Sequence, residues 1–335
     1  MELKDFHYEL SDELIAQYPL SRGTEKLMVV DRSKAEISHV CFNDLVKYLL
    51  PGDTLVLNNS RVIPARLNGK KTTGGNVEIF LVKEIETGRW ESLIRSSKPS
   101  CPGTVVYFES GLKAVILERE SGKGIVQFNR PELIFATGRM PLPPYISRKT
   151  EECDKEYYQT VYAKNEGSVA APTAGLHFTK VMLSDISKKG IEPVYITLHV
   201  GLGTFKPVRV NNIEDHKMHD EDFFVGGYES EKINSAMNNK RRIVSVGTTT
   251  ARVLEHLMRE KGTIRAGHGS TGIFIRPGFE FRCVNALLTN FHLPCSTLIM
   301  LVCAFGGYDL IMKAYKEAVR ERYRLFSYGD AMLII

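Results

Sequence analysis

Residues 77–128 have the sequence VEIFLVKEIETGRWESLIRSSKPSCPGTVVYFESGLKAVILERESGKGIVQF, in which short β-type runs are separated by glycine turns. The runs span residues 77–85, 89–94, 104–108, 112–117 and 124–128, and the turns contain Gly88, Gly103, Gly111 and Gly122. The period of an amphipathic helix is nearly absent from this region. Several short strands at this spacing predict a small antiparallel barrel or sandwich.

The flanking regions have a different pattern, in which predicted strands and helices alternate. Strands are predicted at residues 27–30, 54–57, 192–200, 242–246 and 331–335, and helices at residues 11–15, 229–238, 249–260, 294–305 and 308–321. Connections longer than a hairpin place successive strands in a parallel or mixed sheet. We therefore predict an α/β fold, a mixed sheet with flanking helices, that carries an inserted small antiparallel β-barrel domain.

A proline-dense segment, MPLPPY at residues 140–145, predicts a semi-rigid, extended connector after the barrel. We place the domain boundaries accordingly. Residues 1–60 plus 150–335 are predicted to form one discontinuous α/β catalytic domain, and residues 61–149 to form the inserted β-barrel domain. Both ends of the chain thus build a single domain around the insertion.

The composition is that of a folded globular protein. Of 335 residues, 43% are hydrophobic and 25% are charged. The N-terminus, MELKDFHYEL, lacks a signal-peptide core, and the longest apolar run, residues 298–305, is too short to span a bilayer. The 6 cysteines are irregularly spaced without a CxxC pair, which favours reduced thiols over a disulfide framework or a zinc finger. We expect a cytoplasmic protein that makes no contact with a membrane.

Positive charge is concentrated in the predicted barrel. The formal net charge is +5. Between residues 61 and 100 the basic residues are Arg61, Arg66, Lys70, Lys71, Lys83, Arg89, Arg95 and Lys98, whereas the acidic residues are only Glu78, Glu84, Glu86 and Glu91. Such an excess can neutralise nucleic-acid phosphates, although a solvated strand surface would show the same pattern.

Several common catalytic motifs are incomplete. A GxxxxGK[ST] phosphate loop is absent. Gly201 and Gly203 begin a GxG, but Lys206 stands where the dinucleotide-binding motif needs its third glycine. Ser270 cannot belong to a GxSxG elbow because His268 replaces the first glycine. Dehydrogenase, Rossmann methyltransferase and serine-hydrolase chemistry are therefore not supported.

Polar residues recur among glycines and other small residues in the second half of the chain. The segments are AAPTAGLHFT (170–179), TLHVGLGTFK (197–206), GTTTAR (247–252), GSTGIFIRPG (269–278) and TNFHLP (289–294). Small residues let a ligand approach the backbone closely, and a strand that leads into a helix N-terminus favours an anionic group. We predict that the histidine-bearing segments converge on one pocket.

Nine segments of the chain carry a family resemblance. They are AQYPL (16–20), LVLNNSRVIPARL (55–67), MPLPPYI (140–146), YQTVYA (158–163), AAPTAGLHFT (170–179), TLHVGLGTFKPV (197–208), GTTTARVLE (247–255), TNFHLPCSTLIMLV (289–302) and YRLFSYGDAML (323–333). Through them the chain resembles the S-adenosylmethionine:tRNA ribosyltransferase-isomerases of queuosine synthesis over essentially its whole length. Small departures from the family's usual wording fall at Ser60, Ser168, Asn285 and Leu325.

The resemblance implies a reaction and a fold. The ribosyl unit of S-adenosylmethionine is transferred and isomerised onto 7-aminomethyl-7-deazaguanine at the wobble position of tRNA. The products are epoxyqueuosine-tRNA, adenine and methionine. The implied fold, an α/β domain with an inserted β-barrel, agrees with the strand pattern. S-adenosylmethionine is consumed as a substrate, so we expect no cofactor and no metal.

The resemblance and the glycine-rich settings together give residue hypotheses. His177 or His199 is predicted to be the general base, and Asp330 or Tyr328 is predicted to face the sulfonium or the amine. Arg252 is predicted to hold the methionine carboxylate bidentately. The predicted catalytic residues are His177, His199 and Asp330, and the predicted S-adenosylmethionine-binding residues are Thr173, Gly201, Gly203, Thr249, Arg252, Asn290, His292 and Tyr328.

The basic residues of the barrel are predicted to bind the tRNA anticodon stem-loop, because RNA recognition favours unpaired, splayed bases. This predicted tRNA-binding set is Arg61, Arg66, Lys70, Lys71, Arg95 and Lys98. The expected partners are tRNA carrying 7-aminomethyl-7-deazaguanine and S-adenosylmethionine, and the protein is expected to be a monomer.

Two alternatives from other classes stay open. One is a non-catalytic RNA-binding protein, which would bind RNA but release no adenine. The other is a small-molecule hydrolase with a metal site built from His216, His219 and Glu221. Metal analysis separates the second alternative from the first.

Overall fold

The computed structural model describes residues 1–201, 208 and 210–335. Its strands are β1 (Lys26–Asp31), β2 (Glu36–Cys41), β3 (Thr54–Asn58), β4 (Ser60–Val62), β5 (Arg66–Lys71), β6 (Asn76–Glu86), β7 (Arg89–Ser96), β8 (Val105–Tyr107), β9 (Lys113–Glu120), β10 (Lys123–Phe128), β11 (Asn165–Ser168), β12 (Glu192–Leu198), β13 (Glu221–Val225), β14 (Ile243–Val246), β15 (Gly267–Thr271), β16 (Ala286–Asn290) and β17 (Ala331–Ile334). Its α-helices are α1 (Leu45–Tyr48), α2 (Ile134–Thr137), α3 (Asp154–Tyr157), α4 (Lys180–Lys188), α5 (Gly227–Asn238), α6 (Thr248–Lys261), α7 (Thr297–Gly306) and α8 (Tyr308–Arg320).

The main sheet is mixed. Among the described residues it has 9 strands in the order β15-β13-β12-β3-β14-β16-β17-β1-β2. Strands β12, β3, β14 and β16 are parallel, whereas β17 is antiparallel to β16 and parallel to β1. The prediction of a mixed α/β sheet is confirmed.

The central strands are apolar on both faces because helices cover both faces of the sheet. Every residue of β3 is buried. Leu55 and Leu57 pack in one core cluster with Met182 of α4, and Val56 packs in the opposite cluster with Leu254 of α6. Side chains alternate between the faces of a strand, so a continuous apolar run supplies two cores at once.

The inserted region is a closed barrel with the strand order β10-β7-β6-β5-β8-β9. Its neighbouring strands are antiparallel. Val77, Ile79 and Leu81 of β6 point inward at alternate positions and pack with Trp90 and Ile94. The predicted antiparallel barrel is confirmed, and closure removes the exposed sheet edges that a sandwich would leave.

Local differences from the sequence predictions have physical reasons. The helix predicted from residue 294 begins at Thr297, because Cys295 adopts φ 57 and the Ser296 hydroxyl caps the first turn. The edge strand β15 was not predicted, since its sequence, GHGST, lacks apolar alternation. Strand β4 pairs in parallel with β11 outside the barrel, so the predicted boundary at residues 60 and 61 falls within that strand. The domain boundaries stay a prediction.

In the described part of the chain no single helix has the length and apolarity to cross a membrane. Helices α7 and α8 meet these criteria only when taken together, and they are bent by 118° at their junction.

Candidate active site

A pocket lies where the parallel strands β14 and β16 end, and its empty space, including the open solvent at its mouth, is about 720 Å³. Thr248 and Thr249 follow β14, and Asn290 closes β16. The wall is completed by Tyr145, Tyr158, Ala170, Ala171, Pro172, Thr173, Ala174, Val200, Gly247, Thr289, Phe291, His292, Leu293, Ser296, Leu298, Phe326 and Ser327. The carboxyl ends of parallel strands are the usual ligand crevice of an open α/β sheet. Parts of four of the segments singled out in the sequence therefore share one cavity.

Small residues and one serine shape the pocket wall. The Ser168 hydroxyl donates to the Ala170 carbonyl at 2.7 Å and accepts from the Val200 backbone N–H at 2.9 Å. Ser168 is fully buried. This hydroxyl therefore fixes the spacing between the wall segments at Ala170 and Val200.

Helix α6 points an uncapped N-terminus at the pocket. Its N-cap is Gly247, with φ 90, and no side chain caps the first turn. Gly247, Thr248 and Thr249 all line the cavity. The first backbone N–H groups of a helix have no partners within the helix and carry its positive dipole end. This end of α6 is suited to a carboxylate or a phosphate.

Two polar atoms of the pocket residues are buried without a hydrogen-bond partner among the described residues. They are the Thr249 hydroxyl and the Asn290 side-chain oxygen. The Tyr158 hydroxyl is also buried, and it interacts with the Ala171 backbone and the Ser327 side chain. Buried polar groups are almost always hydrogen-bonded because an unpaired one is costly. Two unpartnered atoms on residues that line one cavity indicate a polar ligand. Sequence reasoning missed Tyr158, although it opens the segment YQTVYA.

His177 lies behind the pocket wall and not on its surface. The ring is 2% exposed, and its Nε2 lies 3.2 Å from the Asn290 side-chain nitrogen. Its Nδ1 lies 3.2 Å from a carboxylate oxygen of Glu25, which is 5% exposed, without the alignment of a hydrogen bond. Phe42 packs against the ring at a centroid distance of 4.8 Å. His177 thus reaches the pocket through Asn290.

Asp330 and Tyr328 are both committed to contacts with protein groups. The Asp330 carboxylate accepts the backbone N–H groups of Lys26 at 2.9 Å and Arg324 at 2.7 Å. Burial raises the pKa of Asp330, and these backbone hydrogen bonds oppose the rise. The Tyr328 hydroxyl donates to Asp154 at 2.8 Å, and burial raises its pKa. Neither residue lines the main pocket.

His199 packs beside the pocket residue Val200. Its ring lies against Gly167, where an added Cβ would come within 3.0 Å of the imidazole. Burial lowers the pKa of His199, and nearby Asp222 opposes that shift. The Nδ1 atom is buried without a hydrogen-bond partner in the described part of the chain. His199 is not among the described residues that line the main pocket.

The predicted ligand residues after His199 are only partly described. The backbone N–H of Gly201 donates to Glu221 at 2.9 Å. Gly203 lies outside the described residues, so its predicted role stays a prediction. Of the two predicted glycines, only Gly201 belongs to the described part of the chain.

Arg252 lies in the core and not on the pocket surface. It is 4% exposed, forms an ion pair with Glu221, and donates to the carbonyls of Ile273 and Thr271, each at 3.3 Å. The predicted contact with a substrate carboxylate stays a prediction. The described geometry instead directs this guanidinium to protein acceptors.

Three predicted ligand residues other than Asn290 line the pocket, namely Thr173, Thr249 and His292. The His292 imidazole lies 3.3 Å from the Tyr315 hydroxyl. Burial lowers the pKa of His292 to about 3. This imidazole is therefore neutral near pH 7 and presents no positive charge to a ligand.

The predicted tRNA-binding residues are dispersed over the barrel and its junction. Lys70 and Arg95 line one open groove of about 1420 Å³, together with Tyr107 and Phe108. Arg66 pairs with Glu78 at 3.1 Å. The side-chain nitrogen of Lys71 donates to the Lys98 carbonyl at 3.0 Å, and Arg61 pairs with Glu166 at 3.7 Å across β4 and β11. The groove thus gathers Lys70 and Arg95 of the predicted set.

The metal site proposed for a hydrolase is not formed. The described residues contain no group of 3 or more His, Cys, Asp or Glu side chains placed to hold a metal ion. Glu221 is instead paired with Arg252. His216 packs edge-on against Phe274 at a centroid distance of 5.4 Å. The hydrolase alternative therefore lacks the cluster that it requires.

Comparison with known proteins gives one consistent result. The family model described as "Queuosine biosynthesis protein" matches residues 3–334. The chain is 48% identical over 342 residues to an S-adenosylmethionine:tRNA ribosyltransferase-isomerase of Geobacter metallireducens and 50% identical over 343 residues to one of Symbiobacterium thermophilum, with 100% of each chain covered. It is also similar to the crystal structure of an S-adenosylmethionine tRNA ribosyltransferase from Thermotoga maritima, with a TM-score of 0.59, 38% identity and 99% and 100% of the two chains covered. The chain belongs to the queuosine biosynthesis protein family.

Proposed function

We propose that this protein is an S-adenosylmethionine-dependent tRNA ribosyltransferase-isomerase of queuosine biosynthesis. The ribosyl unit of S-adenosylmethionine is transferred and isomerised onto 7-aminomethyl-7-deazaguanine at the wobble position of tRNA. The products are epoxyqueuosine-tRNA, adenine and methionine. The observation that carries this proposal is the full-length match to the family, with a polar pocket at the sheet edge where that family's nucleoside substrate would fit.

The pocket offers matching groups for a sulfonium nucleoside. The uncapped N-terminus of α6 suits the methionine carboxylate, because its N–H groups and dipole favour an anion. The unpartnered oxygens of Thr249 and Asn290 suit the amino and hydroxyl groups of adenosine. Neutral His292 adds no charge that would repel the sulfonium.

The reaction needs proton transfer at the ribose carbon next to sulfur, since the sulfonium acidifies that carbon and then leaves. His199 is our first choice for the general base, because its lowered pKa leaves a neutral imidazole at pH 7. His177 is the second choice. Replacing the operating base by alanine should lower turnover by roughly 10²–10⁴-fold. An electrostatic role of Asp330 toward the sulfonium or amine would have to act at a distance, because backbone N–H groups hold its carboxylate outside the pocket wall.

We place the tRNA anticodon stem-loop on the barrel. Lys70 and Arg95 flank the exposed Tyr107 in one groove, which supplies both phosphate-binding charge and a surface for stacking a base. Arg61, Arg66, Lys71 and Lys98 would extend the contact along the barrel and its junction. The bound tRNA would then present its extruded wobble base to the pocket at the sheet edge.

S-adenosylmethionine is a substrate in this scheme, so we propose that no cofactor or metal is required. Turnover should survive exhaustive treatment with a chelator. We further propose a monomer that acts in the cytoplasm, where tRNA is modified. Sedimentation at micromolar concentration should give the mass of one chain.

Adenine release tests the proposal most cheaply. The protein is mixed with S-adenosylmethionine and tRNA carrying the aminomethyl base, and free adenine is measured by chromatography. Adenine should appear in proportion to modified tRNA, and omission of either substrate should abolish it. RNA binding without adenine release would favour a non-catalytic RNA-binding protein.

A further inference from the structure

The Asn290 side chain has only one orientation that satisfies its neighbours. Its nitrogen lies 3.0 Å from the Phe326 carbonyl oxygen, 3.5 Å from the Asp330 carbonyl oxygen and 3.2 Å from Nε2 of His177. Carbonyl oxygens only accept hydrogen bonds, so the amide nitrogen must face them. The amide oxygen then faces the other way, on a residue that lines the pocket, and it has no partner among the described residues.

This orientation also fixes the tautomer of His177. The Asn290 nitrogen can only donate, so Nε2 of His177 must be an unprotonated acceptor. The ring proton therefore resides on Nδ1, which faces the Glu25 carboxylate at 3.2 Å. The negative charge of Glu25 favours a proton on this nearer nitrogen, although the two groups are not aligned for a hydrogen bond.

Glu25 is itself held in place. One of its carboxylate oxygens accepts the Gly23 backbone N–H at 2.7 Å, and its own backbone carbonyl accepts the Phe42 N–H at 2.8 Å. Glu25, His177 and Asn290 are 5%, 2% and 2% exposed. All three side chains are therefore almost fully buried, and a small cavity borders Glu25 and His177.

We infer that Glu25 and His177 are positioning residues that hold the Asn290 amide with its oxygen turned into the pocket, where it accepts a hydrogen bond from an N–H or O–H group of the substrate nucleoside. The inference rests on the proposed function for the identity of that nucleoside. It gives His177 a role through Asn290 in place of proton transfer. It also assigns a function to Glu25, which nothing in the local sequence pattern indicates.

The test compares variants that keep or remove the acceptor at position 177. His177→Gln retains an acceptor oxygen but cannot transfer protons near pH 7, whereas His177→Leu removes the acceptor. Under the positioning role, His177→Gln should keep turnover within about tenfold of the unaltered enzyme, and His177→Leu should weaken S-adenosylmethionine binding by roughly tenfold, the loss of about one hydrogen bond. A loss of 10²–10⁴-fold in turnover for His177→Gln, with an unchanged Michaelis constant and a lost limb of the pH–rate profile, would make His177 the general base and overturn the inference.

A double-mutant cycle tests the link to Glu25. Glu25→Gln should weaken S-adenosylmethionine binding in the unaltered background, and calorimetry on the full-length protein without tRNA measures that binding. In the Asn290→Ala background, Glu25→Gln should have no further effect on binding, because the group that it positions is gone. Additive effects on binding would contradict the inference. Thermal unfolding of each variant identifies any that fail to fold, and His177→Gln then carries the test.

These outcomes separate the inference from the proposed function. If the unaltered protein does not bind S-adenosylmethionine, the proposed function fails. If it binds S-adenosylmethionine and the folded His177→Leu and Asn290→Ala variants bind it equally well, only the positioning role fails.

Discussion

At the scale of single residues, buried partners decide what a side chain can do. Arg252 was predicted to bind the carboxylate of a substrate. In the structure it forms an ion pair with the carboxylate of Glu221. The two residues are 31 positions apart in the chain. Local sequence patterns identify a helix start and a polar residue, yet they contain no information on which distant side chain will fold against it.

Arg252→Ala should lower the free energy of unfolding by roughly 3–5 kcal/mol, because it breaks a buried ion pair with Glu221. Chemical denaturation measures the change. The control is Arg322→Ala, which removes an exposed ion pair with Glu13 and should cost less than about 1 kcal/mol. Equal stability losses in both variants would argue against a buried ion pair at Arg252, and a raised Michaelis constant for S-adenosylmethionine would restore its predicted role as a ligand.

His292 should make stability depend on pH. Its pKa is lowered from 6.5 to about 3 by burial, so between these values the unfolded chain binds a proton that the folded protein excludes. The free energy of unfolding should therefore be highest above pH 6.5 and fall as pH decreases, by up to about 1.4 kcal/mol per pH unit. Denaturation of the protein and of a His292→Gln variant across this range measures the effect. Identical slopes would show that His292 does not titrate in this way.

At the scale of elements, the ends of strands and the start of a helix form the candidate active site. The alternation of apolar residues with glycine turns predicted the barrel correctly, because each barrel strand is patterned locally. The edge strand β15 was not predictable in this way, and neither were the side chains that meet across the pocket. Their stability comes from contacts between segments far apart in the chain, such as the pairing of β13 with β15. Four of the five segments singled out in the sequence reach the pocket, whereas residues 269–278 do not, and the sequence did not indicate which side chains face it.

Gly247→Ala tests the N-terminus of α6. Gly247 has φ 90, so alanine should destabilise the protein by about 1–3 kcal/mol and displace the first turn, which raises the Michaelis constant for S-adenosylmethionine. The matched control is Gly262→Ala at the other end of the same helix, where φ is 67 and no atom lies within 4 Å of the added methyl group. It should destabilise comparably and leave the Michaelis constant unchanged. A rise in both variants would mean that instability, and not the helix N-terminus, weakens binding.

At the scale of the whole molecule, the proposed function requires two substrates of very different size to meet at one site. The chain passes from β3 through β4 into the barrel. It later returns through β11, which ends beside the pocket residue Ala170. The barrel is therefore connected to the main domain next to the pocket. Under the proposed function, this arrangement would let the protein bind RNA on the barrel and perform chemistry in the pocket at the strand ends.

Lys70→Glu should weaken tRNA binding and reduce the salt dependence of the association constant by about one unit of slope, because one phosphate contact is lost. Lys70 lines the barrel groove. The control is Lys188→Glu, an exposed lysine on α4 that pairs with Asp185 at 3.1 Å. Titration with tRNA at several salt concentrations measures both variants. A salt slope that is unaffected by Lys70→Glu would place the RNA on another surface.

A crystal structure of the protein with S-adenosylmethionine bound tests the proposed binding site most directly. We expect the methionine carboxylate at the N-terminus of α6, within hydrogen-bond distance of the backbone at Thr248 or Thr249. We also expect an amino or hydroxyl group of the nucleoside within hydrogen-bond distance of the Asn290 oxygen. Density for the nucleoside at any site that does not include the pocket formed by residues 170–174, 247–249 and 289–293 would contradict it.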